Sequence, residues 1–441
     1  MDRNVVITGL GAVSALGVGA ASLWEGLLKG ASGIRPIAGF DASGFPCRLG
    51  GEVGSADQPF SAKDHVPKHY RKAVKVMARD IELAVAAAKA AVVDAGLATR
   101  ATLPEDSTDP ATYRGERMGC HIGAGLIAAE ADELAEALAS ARTGEDAVDL
   151  KKWGSGGMES LTPLWLLKYL PNMLACHVTI LHGCEGPSNT ITCAEASGLL
   201  SIGESMRVIE RGSADLCFSG GAESRMNYMG LLRMDFAGRV ARCGPGDSVS
   251  DVLRPFDPTS RGGLIGEAGG LVILEEEGTA KARGARAYAR LAGIGAGHSL
   301  QRPGTPIVSD DGYRYAVENA LQDARIGPES IDAIIPTGFG IPALDAAEAA
   351  ALATIFGPSL ASIPLVPLAP AVGNCLAGTG ALQAITAALM LHHQMVPPSA
   401  ITLVAGGAPK SATKSRALKR ILAVSGTPGG QNAAIVLEAV A

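Results

Sequence analysis

Short apolar runs alternate with Ala-rich runs of helical period from one end of the chain to the other, and this alternation restricts the possible folds most. The strand-like runs are Asn4–Thr8, Met118–Gly123, Leu216–Ser219, Gly270–Glu275, Ala289–Gly295, Ala333–Pro336 and Ala433–Glu438. Between them lie helix-like runs at Ala73–Ala95, Glu130–Ala141, Ser197–Arg211, Asp311–Ala324, Ala343–Phe356 and Ala377–Met390. Strands that read as continuous apolar runs must be covered on both faces. The pattern therefore predicts a layered α/β architecture with buried, largely parallel strands. The 56 glycines and an aromatic content of only 4% suit strands and helices that pack closely. Asp, Gly, Ser and Thr cluster at Leu103–Arg114 and Gly144–Glu159, where two less ordered insertions are expected.

A net charge of −6 without a basic block argues against nucleic-acid binding. The opening Met1–Gly9 reads as a strand entering a turn, because it lacks the charged and long apolar regions of a leader. No segment offers about 18 uninterrupted apolar residues, so no membrane span is expected and the chain reads as cytoplasmic. The eight cysteines, at 47, 120, 176, 184, 193, 217, 243 and 375, form no CxxC pair. They are expected to be buried free thiols, not a disulfide framework or a zinc knuckle. The eight histidines show no metal-ligand spacing, and no metal is expected. The run Gly9-Leu10-Gly11-Ala12-Val13-Ser14 follows a strand but has the wrong spacing for a dinucleotide loop. A tight strand-to-loop turn is the expectation there, with no nucleotide cofactor.

The two halves share a pattern of apolar strand, Gly-rich turn and Ala-rich helix. It occurs first at Ile191-Thr192-Cys193-Ala194-Glu195-Ala196-Ser197-Gly198 and again at Val372-Gly373-Asn374-Cys375-Leu376-Ala377-Gly378. A duplication meeting near residue 280, after Leu271–Glu276, would explain it.

Several further segments carry a family likeness. They are Val6-Ile7-Thr8-Gly9-Leu10-Gly11-Ala12-Val13, Pro171–Ile180, Gly186-Pro187-Ser188, Gly220-Gly221-Ala222-Glu223, Arg254-Pro255-Phe256-Asp257 and Gly266-Glu267-Ala268-Gly269-Gly270. In these, and in family order over Val5–Leu437, the chain resembles the elongating β-ketoacyl-acyl-carrier-protein synthases of the synthase II type. The resemblance implies the five-layered αβαβα thiolase fold with two pseudo-duplicated halves, 1–280 and 281–441. It also implies a dimer and no cofactor.

The same resemblance locates missing chemistry. Counting from Gly186-Pro187 and back from Gly220–Glu223 puts the nucleophilic cysteine of the family at position 195, which is Glu195. Cys193 would serve only if the register slipped by two. The first family histidine corresponds to Thr337, in a segment that keeps Asp345 and Glu348. The second corresponds to Asn374, and its associated lysine to Ala369. The phenylalanine gate of the family's C-terminal loop corresponds to Gly426, two residues before Pro428. Gly426 leaves volume that either a tunnel or a neighbouring side chain such as Pro428 would fill.

A thiolate is needed to take the acyl group, and two imidazole donors to stabilise the enolate that forms on decarboxylation. Ordinary condensation by this chain alone is not expected. Glu195 could cap exposed helix N–H groups, act as a general base or recognise a ligand. Thr337 and Asn374 could be turn and cap residues or hydrogen-bond donors to a thioester.

Loss of the cysteine, usually to glutamine, characterises the chain-length-factor (ketosynthase β) branch of the family, to which Pro342–Ala349 is similar. The resemblance then implies a non-condensing subunit of a type II polyketide or fatty-acid synthase. Its partner would be a cysteine-bearing ketosynthase paralogue or a second copy of itself, and both would meet an acyl carrier protein. A repurposed thioester-processing enzyme using Glu195, for malonyl decarboxylation, acyl transfer or hydrolysis, is the alternative. A homodimeric acyl-binding protein is a third reading. Arg71, Lys72, Lys75 and Arg79 are either a carrier-binding basic patch or a solvated helix face.

Overall fold

The computed structural model describes residues 3–55, 57–104, 106–145, 147–244, 246–300, 309–403, 410–411 and 417–440. The elements that place the site, in chain order, begin with strand β1 (Val5–Ser14), helix α1 (Arg79–Asp94) and strand β2 (Met118–Gly123). Helix α2 (Met173–His182), strand β3 (Ser188–Ile191), helix α3 (Ser197–Glu210), strand β4 (Leu216–Glu223), helix α4 (Tyr228–Phe236) and strand β5 (Ala268–Glu276) follow. The remainder comprises β6 (Ala289–His298), α5 (Asp311–Asp323), β7 (Ala333–Ile335), α6 (Pro342–Phe356), α7 (Ala377–His393), β8 (Arg420–Gly426) and β9 (Gln431–Glu438).

The strands connect in the order β7-β8-β9-β6-β1-β5-β4-β2-β3. From β1 outward the pairings run antiparallel, antiparallel, parallel, parallel. From β6 outward they run antiparallel, antiparallel, parallel. This repeated series is the duplication in structural form. It also corrects the expectation of largely parallel strands. A strand covered on both faces is apolar throughout whichever way its neighbour runs, so an apolar run carries no information on direction.

Five layers result. Helix α1 covers β1 and β5 from outside, α3 and α7 lie between the two groups of strands and touch both, and α5 covers β6 and β9 on the far side. This is the thiolase-type αβαβα arrangement. Gly11 lies inside β1, not in a turn as expected, and a Cβ there would sit 1.9 Å from the carbonyl oxygen of Ala87 on α1. Gly295 of β6 meets Ala316 of α5 in the same way, at 2.0 Å. Glycine is thus required for helix backbone to approach strand backbone.

Three further expectations change. The long helix begins at Arg79, because Ala73–Val76 forms a separate 3-10 turn. Gly144–Glu159 contains a short helix, Leu150–Ser155, whose first amides donate to Asp149. Cys47 and Cys243 are joined in a disulfide across 196 residues, correcting the all-thiol reading; the other six cysteines are free. No helix among the described residues is long and apolar enough to cross a membrane.

Candidate active site

β3 delivers the chain to the inner end of α3 through a constrained turn. Ala194 adopts φ 45°, a left-handed conformation disfavoured for a residue with a Cβ. Glu195 follows in a single 3-10 turn, Ala194–Ala196, that runs directly into α3. Its carbonyl accepts from Ser425 Oγ at 2.7 Å, tying the turn to β8. The side chain is 0% exposed.

The Glu195 carboxylate does not cap the helix. Oε1 is paired with the guanidinium of Arg239 and accepts from Asn374 Nδ2 at 3.0 Å. Oε2 has no hydrogen-bond partner among the described residues. Arg239 lies just beyond α4, and its guanidinium carbon sits 5.9 Å from the centre of the Phe339 ring. Burying a carboxylate costs several kcal/mol unless a counter-charge and hydrogen bonds offset it, and here both are supplied. The pair leaves the Glu195 carboxylate with no exposed face.

Asn374 does two jobs. Its amide nitrogen reaches Glu195, while Oδ1 accepts from Leu376 N at 2.9 Å and shapes the entry to α7. No strand precedes this turn, contrary to the sequence pattern, because Ala369–Val372 is a short helix. Ala369 is buried and, with Thr337, Phe339, Asn374 and Cys375, lines a cavity of about 10 Å³. That is room for about one water and none for an acyl chain.

Thr337 Oγ1 accepts from Gly426 N at 2.9 Å, and its own N–H donates to Glu348 at 2.8 Å. Gly338 N donates to the second Glu348 oxygen at 3.0 Å, while Asp345 accepts from Phe256 N and Gly340 N at 2.8 and 2.9 Å. These carboxylates hold the backbone of the Thr337–Gly340 loop. Burial pushes Glu348 up to about 8 and Asp345 up to about 7, against the opposing pull of the backbone N–H groups.

The volume beside Gly426 is occupied. A Cβ at that position would lie 2.2 Å from Cζ of Tyr313, whose ring projects from α5. Pro428 is not the filler; it sits half-buried in the turn between β8 and β9. Glu195, Thr337, Asn374, Ala369 and Gly426 therefore converge, and Pro428 stands apart. Cys193 is half-buried, its thiol raised by burial, and its backbone N–H donates to Ser197 Oγ at 2.7 Å.

Sequence reasoning missed Arg239, Tyr313 and Ser425. Arg239 lies 44 positions from Glu195 in a segment with no motif, and its charge does not set it apart from Asp235 and Arg242 nearby. Arg79 leaves the candidate basic patch, because it is engaged by Glu267 at 2.7 Å; Arg71, Lys72 and Lys75 are exposed. A wider cleft of about 730 Å³ opens above the Arg79–Glu267 pair, between Phe40, Phe60 and Tyr228.

Family models for the beta-ketoacyl synthase N-terminal and C-terminal domains match residues 2–280 and 288–402. Among curated proteins, the chain is 29% identical over 398 residues to 3-oxoacyl-[acyl-carrier-protein] synthase 2 of Staphylococcus aureus (strain COL), covering 90% of this chain and 88% of the relative. The synthase 2 of Coxiella burnetii is also 29% identical, over 402 residues, with 90% and 88% covered. Among solved structures, the ishigamide ketosynthase/chain length factor superposes with a TM-score of 0.80 at 27% identity over the whole of both chains. A beta-ketoacyl synthase from Burkholderia phymatum STM815 superposes at 0.79 and 24% identity, again over both whole chains, and shows the same fold.

Proposed function

The chain belongs to the β-ketoacyl synthase family, and we propose that it is a non-condensing, chain-length-factor-type subunit that pairs with a cysteine-bearing ketosynthase. The observation that carries this reading is the sealed nucleophile position. Glu195 is wholly buried, and its carboxylate is engaged by Arg239 and Asn374. A carboxylate in that state offers neither a thiolate nor an open acyl site, and Thr337 and Asn374 supply no imidazole. In this reading the halves 1–280 and 281–441 persist as scaffold, shaping a pocket for an acyl chain of polyketide or fatty-acid type held by an acyl carrier protein.

The pairing surface is sought at β3. Among the described residues this strand pairs only with β2, and its residues Ser188 and Asn189 are exposed. Leu164, Leu166 and Ile180, in and before the adjoining α2, are exposed apolar side chains. An open strand edge beside exposed apolar surface is costly for a lone chain and suits a partner of the same fold.

Co-expression with an intact ketosynthase, followed by size-exclusion chromatography and mass analysis, tests the reading. A one-to-one complex whose products change in length when this subunit is altered is the expected result. A homodimer alone, with no effect on the products of the ketosynthase, would overturn it. The purified chain should not condense, and Glu195→Cys should not restore condensation while Arg239 and Thr337 remain.

A second reading, thioester processing by Glu195, draws on the unpartnered Oε2. It requires turnover by the purified chain that Glu195→Ala abolishes and Cys193→Ala spares.

A further inference from the structure

The Cys47–Cys243 disulfide sits four residues from Arg239, in the same stretch of chain. After α4 ends at Phe236, residues 240–244 form neither helix nor strand. Among the described residues, two backbone hydrogen bonds and one covalent bond fasten this stretch to other segments. Ala241 N donates to Gly263 O at 2.8 Å, Cys243 N donates to Pro46 O at 2.9 Å, and the disulfide fastens Cys243 to Cys47. Arg239 itself is tethered upstream by its N–H to Met234 O at 2.9 Å. The covalent attachment is therefore on the free side of the residue that seals Glu195.

We propose that the Cys47–Cys243 disulfide is a redox clamp on the seal: reducing it loosens the 239–244 stretch and lets Arg239 withdraw from Glu195. The two sulfurs differ in access. Cys47 is 1% exposed, whereas Cys243 is half-buried between the exposed residues Arg242 and Gly244. A dithiol reductant approaches from the loop side. One of its thiolates attacks Cys243 Sγ, breaking the bond to Cys47, whose departing thiolate takes up a proton. The second thiol of the reductant then displaces Cys243 and closes the reductant's own disulfide. The chain gains two thiols and two protons, and the dithiol is oxidised in exchange.

Loss of the clamp affects the sealed side because the stretch is short. The stretch from Arg239 to Cys243 is five residues, and among the described residues the Ala241 amide alone between them is fixed by a backbone bond to another segment. Local opening of such a stretch draws on few buried contacts, so a single covalent tie sets much of its protection. Cys47 and Cys243 belong to a small cluster with Ile34, Ala241, Val252, Leu253, Leu264 and Ala369. Ala369 also lines the cavity beside Asn374. The clamp thus reaches the site through packing as well as along the chain.

The inference rests on the sealed-site reading, but its test reads loop motion instead of product length, so the two can fail separately. The first measurement is thiol counting by iodoacetamide and mass spectrometry, on the full chain prepared without reductant and then denatured. Six of the eight cysteines should be alkylated. Alkylation of all eight would overturn the proposal. The second is hydrogen–deuterium exchange of the folded chain with and without dithiothreitol. Exchange should rise about tenfold in peptides spanning 239–244 and rise also around Glu195, while α1 stays unchanged. The Cys47→Ser/Cys243→Ser variant, without reductant, should reproduce the reduced pattern and separates the clamp from any effect on other cysteines. Unchanged exchange around Glu195 in the reduced wild-type chain would sink the coupling, whatever the variant does.

Discussion

Two fully buried glutamates stand on either side of the same site, and they are accommodated in opposite ways. Glu195 is met by a guanidinium brought from 44 residues away and by the amide of Asn374. Glu348 is met by two backbone N–H groups, those of Thr337 and Gly338, and burial carries it up to about 8. The first arrangement is a buried carboxylate paired with a matching cation. The second is scaffolding that holds the loop at Thr337 and Gly338 in shape. One carboxylate is thus held by an ion pair and a side-chain amide, the other by backbone N–H groups.

Removing the cation is the most severe way to break this contrast. Arg239→Met leaves the Glu195 carboxylate buried with Asn374 alone, which should cost about 3–5 kcal/mol in urea unfolding. Adding Glu195→Gln should recover much of that loss. Equal stability of wild type and Arg239→Met would show that the pair is not what holds the carboxylate.

The other side of the comparison is sharpened by pH. Glu348, Asp345 and Asp80 have folded-state values raised by burial to about 8, 7 and 7. Each holds a proton in the folded chain where the unfolded chain has released it. The stability they confer is full below the ordinary carboxyl range and is lost as pH rises through about 7 and 8. The slope is up to about 1.4 kcal/mol per pH unit for each carboxyl. Urea midpoints between pH 5 and 9 should fall across that window, and Glu348→Gln should flatten the fall. A midpoint independent of pH would contradict the burial of these groups.

A smaller effect tests the filled volume on the same side. Gly426→Phe drives a ring into Tyr313 and should cost about 1–3 kcal/mol, relieved by Tyr313→Ala. Melting temperatures of the single and double variants decide it. The smallest change is expected at Cys193, two residues before Glu195. Cys193→Ala should shift stability by about 0.5 kcal/mol or less, and the thiol should alkylate slowly in the folded chain.

Much of the architecture could be read from the chain because it is written locally. Met118–Gly123 and Ser197–Glu210 show their period and their boundaries in the residues themselves. β3 is hard to read because Ser188-Asn189-Thr190 is polar and its first two residues are exposed at the edge of the sheet. Glu195 was within reach of a count from Gly186 and Gly220, which share its stretch of sequence. Arg239 was not, since nothing in residues 237–244 encodes which buried acid they will meet. The Cys47–Cys243 bond has the same character: a separation of 196 residues obeys no spacing rule. Local periodicity is legible, whereas contacts made by the approach of distant segments are created by the fold.

Ala194 at φ 45° opens the 3-10 turn that leads into α3, and Leu376 at φ 47° stands immediately before α7; each sparsely populated conformation costs an L-residue about 1–3 kcal/mol. Neither expense depends on the side chain that follows. The backbone functions as a fixed address, delivering whatever residue is encoded at 195 to the same point in space. For a protein engineer, the tenant at that address can be exchanged by one codon, and the renovation lies in the neighbours that have grown to fit it.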